Sequence, residues 1–167
     1  DNSKQHDISV DNLAHAYTND TQVMWNGVLG EMTIEALPYV YISNLRIYPD
    51  TNARKVRVVA DVMNLTKKTV KGDLSLSINP LAAHASLAPC KQSYTFVPGD
   101  NAISVELTIP SDVKQWDMHS PNLFSVLATV DTKAGASSFE SYSGLRTFAA
   151  DGKQLKLNGE PIFLRGT

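Results

Sequence analysis

Cysteine is almost missing from this chain: Cys90 is the only one among 167 residues. A single thiol excludes an intrachain disulfide and any zinc site built on cysteine pairs. Long hydrophobic runs are missing as well. Nowhere do about 18 apolar residues follow one another, the length a membrane-spanning helix needs. The opening, DNSKQHDISV, has no basic stretch leading into an apolar one, so a signal peptide is expected to be absent or already removed. Nor is charge of one sign in surplus. Lys and Arg number 15 against 17 Asp and Glu, a net charge of −2 with no block of either sign. That balance removes the main electrostatic reason to expect nucleic acid or an anionic membrane surface as a partner. The four histidines, His6, His15, His84 and His119, lack metal-ligand spacing, so no metal site and no cofactor is expected.

What is present is alternation. In KVRVVADVMN, Val56, Val58, Ala60 and Val62 share one face while Lys55, Arg57 and Asp61 take the other. The same device places Leu74, Leu76 and Ile78 inward in GDLSLSIN, Ile103, Val105, Leu107 and Ile109 inward in NAISVELTIP, and Phe124, Val126, Ala128 and Val130 inward in LFSVLATVD. Turn chemistry separates these runs: YPDTNA at 48–53, NLTKKT at 64–69, VPGDN at 97–101 and TKAGAS at 132–137. The pattern predicts strands at 39–48, 55–63, 69–79, 91–96, 102–109, 122–131 and 138–148. About seven short strands over roughly 110 residues make an all-β fold, an immunoglobulin-like antiparallel sandwich, though without the Cys–Trp–Cys signature of antibody domains. The length allows one complete core of this size with extra pieces at either end. Residues 1–37 read differently. HDISVDN is a lone alternating strand, AHAYTNDTQ is a polar loop, and WNGVLGEMTIEAL leads from a glycine-rich turn into another strand. Two strands parted by a long loop cannot form a core of their own. At the other end, Asn158-Gly159 between two apolar runs is a strong type I′ hairpin signal, and Ile162 to Leu164 reads as a further strand.

Three stretches together resemble glycoside hydrolase family 2, which includes β-galactosidases, β-glucuronidases and β-mannosidases. WNGVLGEMTIEALPYVYISNLRIYPD, residues 25–50, is similar to the passage where the family's jelly-roll domain ends and its middle sandwich begins. WDMHSPNLF, residues 116–124, is similar to the family's W-S-P-x-x-P-x-L-Y, with Trp116, Pro121, Leu123 and Phe124 at matching spacing and Met118 where a proline is usual. SGLRTFAADGKQLKLNGEPIFLRGT, residues 143–167, resembles F-G-x-R-x-F followed by F-x-L-N-G-K-P-x-x-L-R-G, with Ser143 in place of the usual aromatic. Their occurrence in the right order is more specific than any one of them.

The resemblance implies a division. Residues 1–37 would be the C-terminal part of a jelly-roll sugar-binding domain, 38–149 the immunoglobulin-like β-sandwich, and 150–167 the hairpin and first-strand entry to a (β/α)₈ barrel. It further implies a parent that is a retaining hydrolase of O-glycosyl bonds, β-galactosidase-like, in carbohydrate metabolism. Such chemistry uses two carboxyl groups about 5–5.5 Å apart, which the family carries as glutamates on barrel strands. No position here matches either motif, so no catalytic residue is assigned and the chain by itself is expected to be inactive. Glu31, Glu35, Glu106, Glu140 and Glu160 read as solvent-facing charges. The implied partners are the jelly roll and barrel of the parent chain and the parent's carbohydrate substrate. Self-association through unpaired terminal strands is also expected. The compartment is open, with a periplasmic or secreted bacterial location favoured over a cytoplasmic one.

Four residues are candidates for sugar or interdomain contact. Trp25 and Trp116 could stack on sugar rings, but plugging domain junctions is the commoner use of such aromatic bulk. Arg146 and Arg165 resemble the arginines of G-x-R and L-R-G. Arg146 is expected to tie the sandwich to the barrel through its planar fork, and to dangle without it. The competing function is a free-standing immunoglobulin-like carbohydrate-binding or adhesion module.

Overall fold

Alternation is satisfied when the apolar face of each strand is covered by a second sheet and the polar face is left to water. A computed structural model shows how this chain meets that demand; it describes residues 28–81 and 89–164. Ten strands follow in order: β1 Val40–Asp50, β2 Lys55–Asn64, β3 Val70–Pro80, β4 Cys90–Phe96, β5 Gly99–Thr108, β6 Phe124–Thr132, β7 Gly135–Ser143, β8 Phe148–Asp151, β9 Gln154–Leu157 and β10 Glu160–Ile162. No helix occurs among the described residues. Contacts divide the chain after Glu35, and the second part is the one described below.

Two antiparallel sheets face each other, β1-β2-β5 against β4-β3-β6-β7. The connectivity is that of an immunoglobulin-like sandwich in which β4 pairs with β3 instead of joining the β1-β2-β5 sheet. The expected inward rows fill the core: Val56, Val58, Val62, Leu74, Phe124 and Val130 are all buried. One flank is closed where β1 passes β7, and there the Ile42 amide donates to the Ser137 hydroxyl at 3.3 Å. A bulge at Ser43 sets the register of β1 against β2, and the Ser43 hydroxyl donates to the Asp61 carbonyl at 3.0 Å.

Several expectations need correction. Ile103, Val105 and Leu107 pack against the core but are only partly buried, because β5 is an edge strand with a neighbour on one side alone. The turn expected at 97–101 is shorter, since Gly99 already pairs with Asn64. The last sandwich strand begins earlier than expected and stops at Ser143, not at residue 148. Gly144 and Leu145 leave the sheet to meet the Trp116 loop. A strand was also expected in WNGVLGEMTIEAL, yet residues 28–38 carry none, and Leu29 and Ile34 are exposed. HDISVDN lies outside the described residues. At the far end, β8, β9 and β10 form a separate three-stranded sheet in the order β10-β9-β8. Asn158 at φ 54° and Gly159 at φ 89° give the type I′ hairpin its required left-handed pair. Phe163 and Leu164 fall beyond β10 and are exposed, so the strand expected at 162–164 ends at Ile162.

Candidate functional site: the Trp116 end of the sandwich

The segment after β5 is drawn back over the core by local hydrogen bonding. Ile109 and Val113 are buried, and the Ile109 amide donates to the Arg54 carbonyl at 2.8 Å. Arg54, itself at φ 49°, donates from its guanidinium to the Pro110 carbonyl and to the Val113 carbonyl at 3.0 Å. Proline at 110 keeps the strand from continuing. The chain then reaches Gln115, which bridges in parallel to Leu145, and the Trp116 amide donates to the Leu145 carbonyl at 3.0 Å.

Beyond Trp116 the loop folds on itself. One Asp117 carboxylate oxygen accepts from the amides of His119 and Ser120, both at 2.7 Å. The Asn122 side chain donates to the Gln115 carbonyl at 3.0 Å. These bonds lock the loop in which Trp116 is partly buried while Met118 and His119 are exposed.

Two of the four candidate residues come together here. The Arg146 guanidinium carbon stands 4.6 Å from the centroid of the Trp116 ring, a cation–π stack. Arg146 therefore does not dangle: the indole holds it in place. Its fork is exposed, and no carboxylate among the described residues pairs with it. A guanidinium on one face of the indole also withdraws that face from stacking on a sugar. Trp25 and Arg165, the other two candidates, lie outside the described residues.

Reasoning from sequence missed the part that Asn158 plays. As a turn residue it was legible; as a clasp it was not. Its side-chain amide donates to the Trp116 carbonyl at 2.8 Å and accepts from the Thr147 amide at 2.9 Å. Its own amide donates to the Thr147 carbonyl at 2.8 Å. Beside it the Thr51 and Thr147 hydroxyls share a hydrogen bond at 2.6 Å. A polar groove results, lined by Thr51, Asn52, Gln115, Thr147, Lys156 and Asn158.

A second concavity lies away from this end, among Lys71, Asp73, Ser93, Thr95, Asp131 and Lys133. The Ser93 hydroxyl and then the Lys91 ammonium hold the Asp73 carboxyl below its ordinary pKa. All five described glutamates are exposed: Glu31 and Glu35 lie in the strandless segment 28–38, Glu106 on β5 pairs with Lys55, Glu140 on β7 accepts from the Tyr142 hydroxyl, and Glu160 opens β10. Among the described residues no three His, Cys, Asp or Glu side chains converge as metal ligands would.

With this geometry in view, the chain can be set beside known proteins. Residues 40–146, the sandwich from β1 to the stacked arginine, match the model of glycosyl hydrolases family 2. The chain belongs to that family. Among solved structures, a β-glucuronidase of Bacteroides uniformis superposes with a TM-score of 0.64 at 22% identity, covering 77% of this chain and 17% of that one. A family 2 member from Bacteroides cellulosilyticus gives 0.62 at 21% identity, covering 76% and 18%. A β-glucuronidase of Parabacteroides merdae gives 0.58 at 22% identity, covering 78% and 16%. The chain thus spans under a fifth of the length of these structures, and at such identities the likeness speaks for the fold. No curated protein sequence matches it.

Proposed function

We propose that this chain supplies the non-catalytic sandwich of a family 2 glycosidase acting on β-linked sugars, and that its Trp116 end is the face turned toward the catalytic domain. In this reading, residues 1–37 belong to a jelly-roll sugar-binding domain and 150–167 lead into a (β/α)₈ barrel. The observation that carries the reading is the family match over 40–146, which runs from the first strand of the sandwich to Arg146. The Trp116 end suits an interdomain role. Arg146 is pre-oriented on an indole, keeps its fork open to solvent and can form a bidentate bond with a carboxylate or with backbone carbonyls of a neighbouring domain. The resemblance points to the β-galactosidase or β-glucuronidase class of β-glycoside for the parent enzyme.

The competing reading is a carbohydrate-binding module. An NMR titration of the chain with methyl β-galactoside and methyl β-glucuronide separates the two. A spacer leaves the Trp116 and Arg146 signals unmoved at millimolar sugar. Saturable shifts there would favour the binding module. Reading the source frame past the codon for Thr167 adds a second test: about 250 further residues forming a barrel, with two glutamates at strand ends, are expected.

A further inference from the structure

Asn158 precedes Gly159, and an asparagine followed by glycine carries an intrinsic chemical instability. The backbone nitrogen of the glycine can attack the side-chain amide carbon, closing a five-membered imide and expelling ammonia. Water then opens the imide to aspartate or isoaspartate. Closure requires the amide carbon to swing onto the following nitrogen, so both the side chain and the backbone of the asparagine must be free to turn. Here neither is free. The backbone of Asn158 is fixed in the left-handed region at φ 54° by the type I′ turn. Its side-chain amide is bonded at both ends, Nδ2 to the Trp116 carbonyl at 2.8 Å and Oδ1 to the Thr147 amide at 2.9 Å.

We propose that Asn158 is a protected modification site: a clasp whose closed form suppresses imide formation, and whose deamidation, once the β8–β10 sheet has lifted from the Trp116 loop, prevents it from closing again. The second half follows from the hydrogen-bond inventory of the products. Aspartate at 158 can still accept from the Thr147 amide, but an ionised carboxylate has no proton to donate and would face the Trp116 carbonyl oxygen with a negative charge. Isoaspartate inserts a methylene into the backbone and cannot form the type I′ turn. The event is therefore single-use, a record that the junction between the sandwich and its terminal sheet has opened.

The test uses the whole chain. Folded and denatured samples are incubated at mildly alkaline pH, and peptide mapping by mass spectrometry follows conversion of the amide to acid at Asn158. Asn26-Gly27, the other Asn-Gly pair in the chain, reports the intrinsic rate in the denatured sample. Conversion of Asn158 is expected to be at least about tenfold slower in the folded chain, as for any reaction routed through local opening. Equal rates in the two samples would overturn the protection. Asn158→Asp tests the consequence. At pH 7 its amide hydrogens at Trp116 and Asn158 are expected to exchange about tenfold faster than in the unaltered chain. Below about pH 4, where an aspartate carboxyl regains its proton and can donate again, protection should return. Unchanged exchange at pH 7 would show that the clasp does not depend on the amide donor.

Discussion

Asn64 shows what one residue can hold. Its side chain is 1% exposed, yet all four of its hydrogen-bonding positions are used. The amide donates to the carbonyls of Lys68 and Phe96, each at 3.0 Å, and its oxygen accepts from the Thr66 amide at 2.9 Å and the Thr66 hydroxyl at 2.7 Å. Asn64→Ala would take from the Phe96 carbonyl and the Thr66 amide their side-chain partner near the core, while the Lys68 carbonyl keeps the Thr66 hydroxyl. The expected loss is on the order of 3 kcal/mol, read from urea unfolding. A change below about 0.5 kcal/mol, the scale of an ordinary surface substitution, would contradict this account. From sequence, Asn64 reads as a turn former in Asn-Leu-Thr, which is also a glycosylation motif. The structure commits the amide to two carbonyls and leaves no nitrogen for a glycan. That commitment was not legible because Phe96 comes from a strand 32 residues away. Asn158 repeats the lesson: its turn was plain in two letters, but its grip on Trp116 spans 42 residues.

At the scale of elements, the strands themselves were legible because each carries its own period-two pattern. Their ends were not. Alternation in residues 138–148 continues past the point where β7 stops, and the stop has a tertiary cause. A Cβ on Gly144 would lie 2.8 Å from both Cβ and Cγ of Trp116, so glycine is what lets the chain leave the sheet and pass beneath the indole. Gly144→Ala is expected to push the Trp116 loop outward, unstack Arg146 and cost about 1–3 kcal/mol. In a Trp25→Phe background Trp116 is the only indole, and its emission should move to the red. Unaltered emission together with unaltered stability would count against the packing described for this junction. The partial burial of β5 was equally hidden, since alternation identifies an inward face but not how many strands flank it.

On the scale of the whole molecule, the sandwich was legible from strand number and spacing, whereas the membership of β4 in the β3-β6-β7 sheet was not, because turn residues do not say to which sheet a strand returns. Strand edges then govern how copies of the chain meet. β5 carries Asp100 and Glu106 and no Lys or Arg, so two copies pairing through it would bring like charges together, which protects that edge. The terminal sheet also has Asp151 on β8 and Glu160 and Pro161 on β10, but large apolar side chains stand exposed beside them. Phe148 is 55% exposed, Phe163 83% and Leu164 62%, beside the unpaired edges of β8 and β10. Concentration-dependent self-association through this sheet is therefore expected in sedimentation velocity, reduced when Phe163 and Leu164 are both changed to serine. A monomer at high concentration, or association indifferent to those changes, would contradict it.

The central claim is that this sandwich serves a family 2 glycosidase without performing the hydrolysis itself. Incubating the purified chain with p-nitrophenyl β-galactoside and p-nitrophenyl β-glucuronide tests it most directly. No release of nitrophenol above the buffer rate is expected, because no position in the sequence matches either of the two glutamate motifs that the family carries on its barrel strands. Release that rises in proportion to the amount of chain, and persists through further purification, would contradict the claim and place a catalytic pair within these 167 residues.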